Sequence, residues 1–240
     1  MLMKKQQNTF VLSLGGSVFA PSGKDKGINI KYLHKFEKFI RKQIAEKNRR
    51  FFIVTGGGYT AREYRDAAAE AAGADLTDED LDWLGIHATR LNAHLLRTIF
   101  RDIAHPWILK HYDMVDKKAV DSPVVVCGGW RPGWSSDYCA VMVANDYHIG
   151  TVINMSAVDQ VYDKDPKKYK DAKPIKRLSW DEFLRVVGDK WKPGMNAPFD
   201  PIAAKMAKRI RLKVIVTDGH DLKNLAKILE GEKYKGTTIK

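Results

Sequence analysis

Three short glycine-rich turns, each closing an apolar run, hold the chemistry open to this chain. They read Phe10-Val11-Leu12-Ser13-Leu14-Gly15-Gly16-Ser17, Phe51-Phe52-Ile53-Val54-Thr55-Gly56-Gly57-Gly58 and Val124-Val125-Val126-Cys127-Gly128-Gly129. A glycine pair at the end of a buried strand lets the backbone turn sharply, and bare N–H groups can then face an anion. Any one of these turns also serves as a plain strand-to-helix connection. Three together predict several strand ends converging on a phosphate-rich ligand, in the crevice where open α/β sheets bind.

The elements that must position these turns alternate strand and helix. Apolar residues at helical spacing (Leu33, Phe36, Phe39, Ile40 and Ile44) predict a helix over 30–47. Phe51 to Thr55 reads as a buried strand and Tyr59 to Ala72 as an Ala-rich helix. Thr77-Asp78-Glu79-Asp80 offers a cap for a long helix running to about Ile103, with Pro106 beyond it. Ser135-Ser136-Asp137 caps a helix over 138–144, and Thr151 to Met155 is a strand feeding an Asp-rich loop. Ser179-Trp180-Asp181-Glu182 caps a short helix. Helices over 201–209 and 222–229, a strand over 213–217 and a closing strand Gly236-Thr237-Thr238-Ile239 complete the pattern. The alternation predicts an α/β fold with a mostly parallel sheet and helices on both faces. The turn from Asp146 to Gly150 marks a lobe boundary.

Composition narrows the class. A chain of 240 residues can bury a full core as one large domain or two lobes. Cys127 and Cys139 have no metal or disulfide spacing and read as buried thiols, in keeping with a reducing cytoplasm. No apolar run reaches the ~20 residues of a membrane helix. The start, with Met3-Lys4-Lys5 before an apolar stretch, imitates an export signal, but glycines interrupt it and it reads as a first strand and turn. The net charge of +12 favours phosphorylated ligands. The basic residues are scattered through helix patterns, as at Lys35, Lys38, Arg41, Lys42 and Lys47. With no recognition motif beside them, they do not point to nucleic acid.

Taken together, ordered segments along the chain resemble the amino acid kinase family, and within it the archaeal type of uridylate kinase. They are Gly15-Gly16-Ser17-Val18; Gly56-Gly57-Gly58-x-x-Ala61-Arg62-x-Tyr64; Gly85-Ile86-x-x-Thr89-Arg90-x-Asn92-Ala93; Gly128-Gly129-x-x-Pro132-Gly133 before Ser136-Asp137; Val158-Asp159-x-Val161-Tyr162-x-x-Asp165-Pro166; Asp200-Pro201-x-Ala203-Ala204-Lys205; and Gly236-Thr237-Thr238-Ile239. The resemblance implies a three-layer αβα sandwich with one continuous sheet. Residues 1–147 would form a lobe for the phosphate acceptor, and residues 148–240 a lobe for ATP. It further implies ATP and Mg²⁺, nucleotide substrates, a cytoplasmic location and a homo-oligomer, commonly a hexamer.

Carried over position by position, Gly57, Asp82 and the loop Trp130, Arg131, Pro132, Gly133, Trp134, Ser135, Ser136 would contact the acceptor, UMP. Gly15, Gly16, Ser17, Gly58 and Arg62 would lie along the ATP phosphates. Ser156 opens the adenosine loop, and Tyr162 and Asp165 would hold the adenosine side. Arg62, Ser17 and Asp200 would form the transfer centre, Asp200 organising it. Physics suits these roles, because phosphoryl transfer needs positioning and charge neutralisation above all. A guanidinium fork neutralises and orients phosphate oxygens, and an ionised carboxylate accepts from sugar hydroxyls. On spacing alone other readings stay open. Arg62 reads equally as a surface residue, and Asp82 as a helix N-terminal acid beside Asp78 and Asp80. Tyr162 reads as packing, Asp165-Pro166 as a turn, and Asp200 as the cap of the helix starting at Pro201.

The chain departs from the family pattern at several points. Ser13 stands where many members carry a lysine; Ser156-Ala157 replaces Thr-Asn; Gln160 replaces a glycine that could need positive φ; Trp130 and Trp134 replace smaller or more polar residues. Lys192, Lys205, Arg131 or the other basic residues could compensate. Two alternatives follow: a kinase of the same fold for another small phosphate such as isopentenyl phosphate, or an impaired paralogue that only binds nucleotides or oxyanions. Tyr59-Thr60-Ala61-Arg62 after the second glycine turn favours a nucleotide acceptor over the isoprenoid, whose kinases carry Ser-Phe-Gly-His there.

Overall fold

Continuous apolar runs of four to six residues form the strands of a sheet covered on both faces, as parallel sheets require. The computed structural model describes residues 8–166, 168–188 and 197–240. In its first half, β1 (Thr9–Leu14) leads through α1 (Gly16–Phe19) and α2 (Ile30–Lys47) to β2 (Arg50–Thr55). Next come α3 (Gly58–Ala72), α4 (Asp78–Ile99), β3 (Val124–Cys127) and α5 (Ser136–Asp146). The second half holds β4 (Thr151–Ser156), the two-residue strands β5 (Val161–Tyr162), β6 (Pro174–Ile175) and β7 (Arg177–Leu178), then α6 (Trp180–Val187) and α7 (Pro201–Arg209). It closes with β8 (Lys213–Asp218), α8 (Leu222–Glu230) and β9 (Thr237–Ile239).

One seven-stranded sheet runs through both halves in the order β3-β2-β1-β4-β8-β9-β7. Its pairings are parallel except for β9, which runs antiparallel to β8. The expected αβα sandwich is therefore present. Side chains alternate between two cores. Val11, Phe52 and Val214 face α5, α6 and α7 on one side; Leu12, Leu14 and Ile53 face α2, α4 and α8 on the other.

The caps foreseen from sequence form as hydrogen bonds. Thr77 and Asp80 make a reciprocal capping box at α4, and Ser179 and Glu182 do the same at α6. Ser135 accepts from Tyr138 N, and Asp200 accepts from Ile202 N with Pro201 in the first turn. One boundary differs from expectation. α4 ends at Ile99 rather than near Ile103. Fully buried Phe100 closes it, and the chain then runs beside the outer edge of β3, bridging Ala104 to Val124 and Leu109 to Cys127. That edge is covered, which removes an unpaired strand border. The scattered basic face of α2 is partly neutralised: Arg41 binds Glu37 and Asp102, and Lys47 approaches Glu230. Among the described residues no helix is long and apolar enough to cross a membrane.

Candidate active site

The parallel strands β1, β2, β3, β4 and β8 all end on one side of the sheet, and the glycine turns meet there. The first two touch backbone to backbone. A Cβ on Gly16 would stand 2.1 Å from Gly58 N and 2.7 Å from Gly56 O. Gly58 itself has φ +63 and approaches Gly16 O and Ala20 O. Neither partner is a flexible side chain, so Gly16→Ala is expected to destabilise the fold by about 3 kcal/mol or more. Urea denaturation measures this.

A part of the site that sequence reasoning left without a role is the clamp on α4. Asn92 Nδ2 donates to Gly56 O at 2.9 Å and to Gly57 O at 3.1 Å. Thr89 Oγ1 accepts from Gly129 N at 2.7 Å and donates to Ile86 O. Arg90 donates to the carbonyls of Gly129 and Trp130. Tyr112 OH holds Gly128 O at 2.7 Å. One helix thus stitches the second glycine turn to the third. Its sequence signal is two polar residues, Thr89 and Asn92, three apart on the stripe otherwise formed by Ile86, Ala93 and Leu96.

Over these turns lies a cavity of about 250 Å³. Of the anticipated residues, Gly57, Gly58, Arg62, Asp82, Trp134, Ser135, Ser136 and Asp200 line it. Arg65, Thr89, Gly129 and Asp137 also line it, without having been assigned a role. The N-termini of α3, α5 and α7 enter its wall at Gly57–Gly58, Ser135–Ser136 and Asp200. Their dipoles put partial positive charge there. Arg62 Nη1 and Nη2 both sit 3.4 Å from Ser17 Oγ, and Nη2 is equally far from Ser22 Oγ. No carboxylate pairs with it among the described residues. Burial, then the neighbouring Arg65, pulls its pKa below the usual guanidinium value.

Three carboxylates, Asp82, Asp137 and Asp200, also line the cavity. Asp82 Oδ2 accepts from Gly133 N at 2.7 Å, so α4 ties down the loop whose Gly133 has φ +79. Burial raises its pKa, against that hydrogen bond. Asp137 Oδ1 accepts from Ser13 Oγ at 3.1 Å, and its Oδ2 accepts from Asp200 N at 3.0 Å. Asp200 accepts from Ser135 Oγ and, at 2.8 Å, from Ile202 N. Asp137 is pushed up to about 7, first by burial and then by the charge of Asp200. Burial likewise raises Asp200. Ser13 thus supplies a hydroxyl, not a cation, to a buried acid pair.

The remaining anticipated residues fall outside the cavity. Trp130, Arg131, Pro132 and Gly133 do not line it. Arg131 lies over the rings of Trp130 and Trp134 at 4.5 and 4.7 Å, a cation–π contact that keeps its charge. Gly15 and Ser156 pack at the ends of β1 and β4, where Gly15 N donates to Met155 O and Gly219 N to Ser156 O. Tyr162 OH donates to Asp159, which also pairs with Lys235. Asp165 carries a turn, its carbonyl accepting from Lys168 and Tyr169. Gln160 is absent from the positive-φ positions, so the glycine it replaces is not needed for backbone freedom here. Lys205 lies on the exposed side of α7, and Lys192 falls outside the described residues.

A doubly covered sheet with glycine turns, helix N-termini and an unpaired arginine at one end defines a phosphate-handling α/β protein. The amino acid kinase family model matches residues 8–218, and the chain belongs to that family. A uridylate kinase of Thermoplasma volcanium is 36% identical over 232 residues, covering 96% of this chain and 97% of its own. One of Methanobrevibacter smithii is 31% identical over 230 residues, covering 95% and 97%. The crystal structure of uridylate kinase from Archaeoglobus fulgidus superposes with a TM-score of 0.79 at 33% identity, covering 98% of this chain and all of that one.

Proposed function

We propose that this chain is an ATP-dependent uridylate kinase, moving the γ-phosphate of ATP to UMP. The observation that carries the reading is Arg62: a half-buried cation, in no ion pair among the described residues, lining a cavity entered by three helix N-termini. Guanidinium and helix N-termini together suit the phosphates of a nucleotide. Near-full-length similarity to uridylate kinases supplies the acceptor's identity.

A phosphate oxygen of UMP attacks the γ-phosphorus in line; the new P–O bond forms as the bond to the β-phosphate oxygen breaks, and ADP departs. No covalent enzyme intermediate is needed. Arg62 neutralises charge on the transferred group, with Gly16, Ser17 and Gly58 along the ATP phosphates and Gly15 beneath. Asp82 accepts from ribose hydroxyls through the oxygen not bonded to Gly133. Gly57, Trp134, Ser135 and Ser136 wall the acceptor, and Trp130, Arg131, Pro132 and Gly133 shape the loop. Ser156, Tyr162 and Asp165 serve the adenosine side. The acceptor lobe is residues 1–147 and the ATP lobe residues 148–240, in a homo-oligomer of the cytoplasm. The described residues hold no cluster of three or more metal-binding side chains. Mg²⁺ would come with the ATP phosphates and neutralise charge on them; no residue of this chain is assigned to it.

ADP release with ATP and Mg²⁺, screened over UMP, CMP, isopentenyl phosphate and acetylglutamate, is the test. UMP-dependent turnover is expected. Turnover with another acceptor alone would move the reading to that substrate. Nucleotide binding without any turnover would overturn it in favour of a binding paralogue.

A further inference from the structure

The positive charge of this chain is unevenly spread. Residues 148–240 carry 20 lysines and arginines against 12 acids, whereas residues 1–147 carry 21 against 17. Part of the surplus surrounds a second cleft, of about 570 Å³, that shares no lining residue with the cavity over the glycine turns. Lys223 and Lys227 of α8 form one wall, Lys233 and Lys235 the facing loop, and Lys176 the strand side. Lys235 already pairs with Asp159 at 2.7 Å. Lys176, Lys223, Lys227 and Lys233 make no ion pair among the described residues. The one acid in the lining, Asp221, is engaged as the cap of α8, accepting from Asn224 N at 2.9 Å.

The lysines stand on a fixed frame. Asn224 holds the facing loop from both sides, its Nδ2 donating to Lys235 O at 2.6 Å and its Oδ1 accepting from Lys235 N at 2.9 Å. Gly231, at φ +74, ends α8 and starts that loop. A Cβ on Gly236 would stand 2.7 Å from Val216 O, which pins the far end of the loop against β8.

This local sequence runs against what helix stability favours. Lys223 lies in the first turn of α8, at the positive end of the dipole, where a cation is unfavourable. Lys223 and Lys227 are also a like-charge pair at i, i+4, which weakens a helix. The Asp221 cap offsets part of this, yet five lysines stand against that one acid in the lining, and a local imbalance of this kind points to a function outside the fold. An anion between the two walls would relieve the dipole mismatch and the mutual repulsion together. A run of phosphates suits a cleft bordered by several separated ammonium groups better than a single small anion does.

We infer that this cleft is an accessory binding site for an oligophosphate anion, separate from the cavity over the glycine turns. The inference does not depend on the kinase reading. Nucleoside triphosphates and inorganic oligophosphates share the recognised chemistry, a flexible chain of phosphoanhydride-linked groups.

The test is calorimetric titration of the full chain with inorganic tripolyphosphate, at low ionic strength and again in high salt. Saturable binding that weakens with salt is expected, and it should persist in Arg62→Ala, where the phosphate contact over the glycine turns is removed. The double variant Lys223→Gln, Lys227→Gln should bind about tenfold more weakly, the sum of two exposed ion pairs near the top of their usual range. Lys233→Gln, on the opposite wall, should weaken binding on its own, which keeps the test valid if the double variant unfolds. Unchanged affinity in these variants, or loss of binding in Arg62→Ala alone, would overturn the site. Competition by ATP for tripolyphosphate on the Arg62→Ala protein would identify a nucleoside triphosphate as the occupant. Its absence would identify an inorganic oligophosphate.

Discussion

Arg62→Ala is expected to lower UMP-dependent ADP release by about 10²–10³-fold, the usual loss when one preorganised donor to transition-state charge is removed. The fold should survive intact. Arg62 makes only two hydroxyl contacts, to Ser17 and Ser22, each at 3.4 Å. Losing these costs little, and removing an unpaired, partly desolvated cation gives some stability back. The guanidinium also repels Arg65, which helps to lower its pKa. A thermal melt no lower than that of the native protein, together with the rate loss, would separate a role in transfer from one in folding. Arg62→Lys should recover only part of the rate, because an ammonium lacks the planar two-point fork. Full activity of Arg62→Ala would remove the phosphate role from this residue and leave the transfer centre to the backbone and Arg65.

The convergence of the glycine turns was legible in the sequence because it rests on local patterns. Apolar runs ending in Gly-Gly, and caps such as Ser135 and Asp200, need only neighbouring residues to be recognised. The helix α2 follows from its periodicity, α3 from its alanines and the start of α4 from its cap. What escaped has a different physical basis. Asp137 looks like any first-turn acid of a helix, its local role; its contacts to Ser13 and to Asp200 N span 124 and 63 residues. Arg65 is three residues from Arg62 on an Ala-rich helix, with nothing local to set it apart from a surface residue. The strands β5, β6 and β7 have two residues each, too short for any period to register. The early end of α4 depends on β3 needing a covered edge, a requirement that exists only once the sheet has formed. Trp130 and Trp134 were visible as bulky departures. That their rings would carry Arg131 was not.

The acid pair leads to the second large effect. Asp137→Asn is expected to lower turnover above neutral pH while making the ligand-free protein more stable there. The folded protein raises Asp137 from 3.8 to about 7. The native state therefore holds this proton more tightly than the unfolded chain does. The resulting stabilisation is fully present below about pH 4 and is lost as the pH rises through about 7, an effect on the order of 2–4 kcal/mol. Above that, two carboxylates share a site in which, among the described residues, the hydroxyls of Ser13 and Ser135 and a few backbone N–H groups hold them. Asparagine keeps an acceptor for Asp200 N and a donor for Ser13 Oγ, but it carries no charge to desolvate. Denaturation midpoints at pH 5.5 and pH 8 should fall with pH in the native protein and change much less in Asp137→Asn. Turnover should fall all the same, because the neutral amide no longer sets the charge beside Asp200 at the N-terminus of α7. An equal pH dependence in both proteins would show that Asp137 does not carry the buried charge, and Asp200 would then be the group to replace. Stability gained where activity is lost is the pattern expected of a site held in a strained charge state for its chemistry.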